Sequence, residues 1–370
     1  MSQIKFEQCQ FSEATAQKSS ECDISGALNS KVLGWEVAQA QDLQSIKDRM
    51  RFNRPEIVAV LIALGMLSAV FILSCWLAEN PFQSTQHIES IGTLSIGWHE
   101  TNSWRIVWTV VLLAIVFELL DSSAGMGYGT AFTPILLVMG YELQQIVPAI
   151  MIQQASAGLI SAYIHNEFKN VEWRFHPISE TVRLWLMISG IGILAVAFSV
   201  TSIYGWLSWA TTWIKLYVII LLLIMGAAAL INANRKTEYH PKRMLFFGAL
   251  AGFNKGIGGG GYGPVLTIGG IRSGVPLKTM MAITALSEGT VCIASIITWF
   301  LLSSSGVIID FILLPSMILG SIIAVIAGPY VTRVLPDNIW RKVVPIYCCL
   351  LALFCLIKLF PAFLIFASTS

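Results

Sequence analysis

Apolar residues along this chain run in long unbroken stretches instead of alternating or marking one helical stripe. The stretches Ile57 to Leu77, Ile106 to Leu120, Leu184 to Ile203, Leu216 to Ile231, Met281 to Leu302, Phe311 to Val331 and Val343 to Phe360 come near the roughly 20 residues that a helix needs to cross a bilayer. Two further regions, 122–164 and 244–275, are apolar but broken by glycine and polar residues. Glycine weakens a helix by about 1 kcal/mol relative to alanine and proline by about 3, so a helix entering either region must stop inside it. The pattern predicts an all-α polytopic membrane protein with two interrupted segments. Composition agrees: of 370 residues, 55% are hydrophobic and 12% charged, and the mean hydropathy is +0.71, outside the range of soluble domains.

Charge adds orientation. The net charge of +2 is too small to imply a nucleic-acid partner. Lys47, Arg49, Arg51 and Arg54 precede the first span, and basic residues recur at Lys169, Arg174 and Arg183, at Arg235, Lys236, Lys242 and Arg243, and at Arg333, Arg341 and Lys342. The connections 79–103, 204–214 and 303–309 hold no Lys or Arg. By the positive-inside rule the basic segments face the cytoplasm, which predicts a cytoplasmic N-terminus and an external C-terminus. The seven cysteines and five histidines show no metal spacing, and no metal or cofactor is expected. His87, His99, His165, His176 and His240 all fall in expected connections, in solvated or interfacial positions. Residues 1–54 form a polar head without a signal-peptide core. Within it Val37, Leu43, Ile46 and Met50 share a helical face, which predicts a surface helix against the membrane or an unidentified partner.

The two broken regions repeat one another. A shift of 134 residues lays Gly127, Tyr128, Gly129, Thr133 and Gly140 on Gly261, Tyr262, Gly263, Thr267 and Gly274, and Gln153, Gln154, Ser156 and Ser161 on Ser287, Glu288, Thr290 and Ser295. The chain divides into a head (1–54), an extra span with its external loop (55–103), and two repeats (104–234 and 235–370). Each repeat is expected to hold a broken or re-entrant hairpin plus three spans, an odd number of crossings that makes the copies inverted. Interrupted helices at matching positions in inverted halves mark a transporter site near the midplane.

The second break places Asn254 and Lys255 before Gly258, Gly259, Gly260, Gly261 and Tyr262; the first places Ser122, Ser123, Gly125 and Gly127 at the corresponding turn. Helix N-termini carry unpaired N–H groups and about half a positive charge, so two such tips with Lys255 between them would hold an anion. Gly258 to Gly261 are expected to approach another backbone too closely to admit a side chain. The register sets Asp121 opposite Lys255, as a salt-bridge partner or a proton-carrying carboxylate. Glu118, Gln153, Gln154 and Glu288 are further polar groups within apolar helices. Of these Gln154 and Glu288 are register mates and join the candidate site, Glu288 as a second proton-coupling carboxylate, with Ser156 and Thr290 as hydroxyl donors.

The doubled motif, "GMGYGTAFTPILL" with Pro134 and "GIGGGGYGPVLTI" with Pro264, resembles the sulfite exporter TauE/SafE family of anion permeases over about residues 104 to 360. Met126 and Tyr128 interrupt the first glycine run. The resemblance implies a transporter of the cytoplasmic membrane that moves sulfite, sulfonates or related organic anions, coupled to protons. Its partners would be a small anion, the lipid bilayer and a second copy in a homodimer. An anion or ion channel is the second reading, and an intramembrane enzyme using Asp121 or Ser122 the third.

Overall fold

A computed structural model describes residues 33–79, 106–205 and 239–336, except 305, 306 and 308, with scattered positions in 220–227 and 339–357. The first part of the head, the connection 80–105, most of the span 216–231 and the last residues lie outside the described residues, as do His87 and His99.

The described residues are helical apart from connections and one isolated bridge between Phe175 and Ile178. In chain order they form α1 (Glu36–Asp42), α2 (Ile46–Arg49), α3 (Arg54–Ala78), α4 (Trp108–Ala124), α5 (Tyr128–Val138), α6 (Leu143–Glu167), α7 (Glu180–Gly205), α8 (Pro241–Gly258), α9 (Tyr262–Arg272), α10 (Leu277–Ser303) and α11 (Leu314–Val334). Five of these, α3, α6, α7, α10 and α11, are long and apolar enough to cross a membrane. The shift of 134 residues seen in the sequence carries α5 onto α9 at both ends, and the starts of α6 and α7 onto those of α10 and α11.

Helix ends follow local chemistry. Asn53 N–H donates to Glu56 Oε2 at 2.9 Å and starts α3, with Pro55 in the first turn, where its missing N–H costs nothing. Gly125 and Gly259, again 134 residues apart, close α4 and α8 in the left-handed conformation at φ +67° and +73°. Their N–H groups donate to Asp121 O at 2.7 Å and Lys255 O at 2.9 Å. Any side chain would be strained at either position.

Between membrane helices the apolar effect is weak, and close backbone approach at small residues takes its place. Gly248, Gly252 and Gly256 make such a stripe on α8, and a Cβ on Gly252 would sit 2.5 Å from Gly192 O on α7. Gly320 and Gly328 on α11 do the same for α4, at Val111 O and Ser122. Gly158 and Gly289 bring α6 and α10 together. Thus α4 packs on α11 as α8 packs on α7, and α6 on α11 as α10 on α7. The 134-residue shift exchanges the members of each comparison.

The α8–α9 hairpin returns to the end it came from, because His240 N–H donates to Ser273 O at 2.8 Å. That end also holds Lys278, whose Nζ reaches Arg333 O, near the close of α11. The α4–α5 hairpin opens at the other end of α11: Val107 N–H donates to Ser316 Oγ at 2.9 Å. Just after α5, Gln145 Nε2 donates to Asp310 Oδ2 at 2.9 Å, and Asp310 lies shortly before α11 begins. The two hairpins therefore enter the bundle from opposite ends.

The extra helix α3 lays Ala59, Ala63 and Leu67 against Ala157, Ile160 and Ile164 of α6 and Val325 of α11, and leaves its remaining apolar surface outward. Ahead of it the expected surface helix is broken in two at Leu43–Ser45. Leu43, Ile46 and Met50 are exposed, whereas Trp35, Ala38, Gln41 and Arg49 are buried. Ser45 explains the break: its side chain accepts from Asp48 N–H and starts a new helix.

Candidate functional site

The two glycine-rich turns touch. A Cβ on Gly260 would lie 2.6 Å from the carbonyl carbon and oxygen of Gly129, and one on Gly129 would overlap Gly259 O. In the mirrored contact a Cβ on Gly263 would overlap Gly125 O and come within 2.7 Å of Met126 Cα. Gly129 and Gly263 are register mates, as are Gly125 and Gly259, so each half makes the other's contact. Reciprocity of this kind is what a twofold relation produces.

Helix ends leave carbonyls without intrahelical partners, and hydroxyls take them up here. Thr133 Oγ1 donates to Gly258 O at 2.8 Å, and its register mate Thr267 donates to Gly125 O at 3.1 Å. Thr332 Oγ1 donates to Ser123 O at 2.7 Å. His165 Nε2 contacts Ser122 O at 3.1 Å, and Asn170 Nδ2 contacts His165 Nδ1 at 3.0 Å and Pro329 O at 2.9 Å. The amide donates to Nδ1, which leaves the proton on Nε2 to donate to Ser122 O. His165 is thus a fully buried part of α6, not a solvated connection residue.

Beside this contact runs a chain of buried polar groups. Lys255 Nζ donates to Glu288 Oε1 at 2.6 Å and to Gln154 Oε1 at 3.5 Å. Gln154 Nε2 donates to Gln153 Oε1 at 3.1 Å and to Glu118 Oε2 at 3.4 Å. Gln153 Nε2 donates to Glu118 Oε2 and to Ser321 Oγ, both at 2.7 Å. Ser122 Oγ completes the chain by donating to Glu118 Oε1 at 2.5 Å. Lys255 is 0% exposed and Glu288 5%, so the pair lies in a low dielectric where neither charge tolerates losing its partner. Glu118 is 1% exposed and meets only neutral donors among the described residues. Cys292, one turn beyond Glu288 on α10, is fully buried as well.

The expected Lys255–Asp121 pair does not form. Lys255 turns to α10, while Asp121 folds back on its own turn and accepts Tyr128 N–H at 3.2 Å, filling the anion position at the start of α5. At the start of α9 the Gly261 N–H is taken by Thr130 Oγ1 at 2.8 Å. At both tips one N–H is therefore taken by a side-chain oxygen of the protein itself. Ser156 Oγ donates to Ile152 O and Gln153 O of its own helix. Thr290 donates to Leu286 O and receives Trp185 Nε1–H. Neither hydroxyl joins the polar chain. Of the glycines expected to be crowded, Gly260 is; Gly259 and Gly261 are fixed instead by positive φ.

At Gly258 an added Cβ would meet nothing within 4 Å. One turn earlier, on the same face of α8, Asn254 is fully buried and neither Oδ1 nor Nδ2 has a protein partner. A buried amide left this way costs about 1–3 kcal/mol, so the position asks for a polar occupant. Among the described residues no group of three or more His, Cys, Asp or Glu side chains is placed to hold a metal ion. Sequence reasoning passed over Thr130, Thr133, Thr267 and Ser321, and set Glu118 and Gln153 behind Gln154 and Glu288. The signal for Glu118 was a carboxylate inside the run Ile106 to Leu120 with Ser122 one turn on.

Known proteins are similar to this chain in sequence. The chain is 25% identical over 222 residues, 57% of its own length and 70% of the other's, to a Bacillus subtilis (strain 168) protein described as the probable membrane transporter protein YtnM. No solved structure matches it. The sequence model of the family described as "Sulfite exporter TauE/SafE" matches residues 110–355, a stretch that includes both hairpins and the whole polar chain. With its apolar helices and interrupted hairpins, the protein is a multi-pass membrane transporter, and it belongs to the sulfite exporter TauE/SafE family.

Proposed function

We propose that the protein is a secondary transporter that carries a small sulfur-containing or organic anion across the cytoplasmic membrane, with a proton as its coupling ion. The observation that carries this reading is the buried Lys255–Glu288 pair beside the unpartnered Asn254 amide at the tip of an interrupted helix. Lys255 stands 14 residues from the start of α8, about 21 Å along the helix axis, which reaches the middle of a bilayer about 45 Å thick with its headgroups.

The pair supplies a coupling device. An anion entering at Gly258 competes with the Glu288 carboxylate for Lys255 Nζ. Once Glu288 takes up a proton its hold on the ammonium is lost, and Lys255 is free to face the anion together with Asn254 and the Gln154 amide. Release of the anion restores the pair and returns the proton. Glu118, reached from Gln154 through Gln153, is a second buried carboxylate that a proton neutralises, and Asp121 a third.

The reading includes inverted repeats, supported by hairpins entering from opposite ends and by the reciprocal glycine contacts. It also includes a cytoplasmic N-terminus, an external C-terminus and homodimeric assembly. Purified protein in liposomes, offered sulfite and a panel of small sulfonates and carboxylates, distinguishes the readings. A carrier gives saturable flux that a pH gradient drives and that Asn254→Leu weakens by about tenfold, on the scale of one lost charged hydrogen bond. Unsaturable flux would make it a channel, and product formed without flux an enzyme.

A further inference from the structure

The described part of the head binds both halves of the bundle, in two different ways. Toward the first half the bonds avoid charge. Leu33 O accepts Thr181 N–H at 3.1 Å and Gly34 O accepts Glu172 N–H at 2.9 Å, and Gln41 Nε2 donates to Phe168 O at 2.9 Å. Gly34 lies so flat that a Cβ there would sit 2.5 Å from Thr181 Oγ1. Phe52 sets its edge on Phe168 with ring centres 5.7 Å apart.

Toward the second half the bonds are mostly ionic. Asp42 Oδ1 receives Lys278 Nζ at 2.5 Å, and within the head it also receives Arg49 Nη1 at 3.2 Å. Arg333 Nη1 pairs with Glu56 Oε1 at 2.9 Å, and its Nη2 donates to Arg51 O at 3.1 Å. Phe52 stacks on Tyr330 with centres 5.0 Å apart. Lys278 and Arg333 stand at the ends of α10 and α11, and Glu288 follows Lys278 on α10 by ten residues, about 15 Å along one helix.

We propose that residues 33–56 form a latch across this end of the bundle, held on the first half and on α11, and released from α10 at Asp42–Lys278 when this end opens. The latch rests on the proposed transport function, since a carrier of this kind opens its site to one side and then the other by movement of one half against the other. On the first half it is held by main-chain bonds that neither salt nor charge alters. Its releasable side is an ion pair whose carboxylate is 29% exposed while its lysine is 1% exposed, so water and salt reach it from one side only. Because α10 carries both Lys278 and Glu288, loss of the latch contact and movement at the Lys255–Glu288 pair are displacements of one rigid helix. The head thus biases which side the site opens to, in the way any contact made in only one of two states does.

Native Cys292, fully buried one turn beyond Glu288 on α10, is the reporter. In full-length protein with the other cysteines replaced, a membrane-impermeant maleimide is applied from each side of sealed vesicles. Asp42→Asn is expected to raise the rate of Cys292 modification from the latch side by about fivefold, the population shift that follows from losing one partly exposed ion pair. It should lower the rate from the opposite side. The exchanged pair, Asp42→Lys with Lys278→Asp, should return both rates toward wild type. In wild type, raising salt from about 0.05 to 0.5 M should accelerate latch-side modification through screening and leave Asp42→Asn unaffected, a test that needs no altered fold. Cys292 that reacts in wild type yet ignores both salt and Asp42 would reduce the latch to a static anchor. Cys292 unreactive from both sides in every variant would overturn the moving halves and the latch with them.

Discussion

Lys255 is the costliest residue in the bundle interior, and its partner decides what it does. Lys255→Met leaves the Glu288 carboxylate without its cation at 5% exposure, and removal of one member of a buried pair costs about 3–5 kcal/mol. The double variant Lys255→Met with Glu288→Leu removes both charges and is expected to recover most of that loss in a thermal melt of detergent-purified protein. Transport should stay absent in the double variant, which separates the stabilising role of the pair from its functional one; flux regained along with stability would make the pair purely structural. The sequence made the lysine, Asn254, Gln154 and Glu288 legible, because polar groups inside apolar runs are rare. It did not reveal the pairing. Register alone faced Asp121 to Lys255, but Asp121, near the end of α4, is close enough to the start of α5 to accept Tyr128 N–H, while the longer lysine reaches α10.

At the scale of elements, the two hairpins depend on backbone contact at a few glycines. Gly129→Ala would drive a methyl into the Gly259 carbonyl, where backbone cannot yield as a side chain would, and a loss of at least about 1–3 kcal/mol is expected from overpacking. Gly258→Ala meets open space and should melt within about 1 kcal/mol of wild type, since alanine also favours the helix by that amount. Fluorescence-detected size exclusion after heating measures both, and equal melting points would mean the turns are only flexible connections. The glycine clusters announced the breaks, and the shift of 134 residues placed α5 and α9 correctly. Which glycines are crowded was not legible, since Gly129 on the other turn supplies the neighbour that Gly260 meets. In the head, Leu43, Ile46 and Met50 form an apolar face by spacing and stay exposed, while Trp35, Ala38, Gln41 and Arg49 are buried against the bundle, a division that spacing within the head alone does not reveal.

For the whole molecule, opposed hairpins imply that Arg174 and Ser304 lie on opposite sides of the membrane. Arg174→Cys should label only from the cytoplasm and Ser304→Cys only from outside, in a background without accessible native cysteines; labelling of both from one side would end the inverted arrangement. The membrane class and the interrupted architecture followed from composition and repeats, whereas substrate identity has no such imprint in hydropathy or spacing. The central claim is that a small anion is held at Lys255 and coupled to a proton at Glu288, and proton-coupled flux in liposomes tests it most directly. With a pH-sensitive dye enclosed and a small sulfonate or sulfite added outside, wild-type protein is expected to carry protons with the anion in a fixed ratio and with saturation. Lys255→Met should abolish both fluxes, and Glu288→Gln should leave anion exchange while removing the accompanying proton. Anion flux unchanged in Lys255→Met, or proton movement unchanged in Glu288→Gln, would contradict the account.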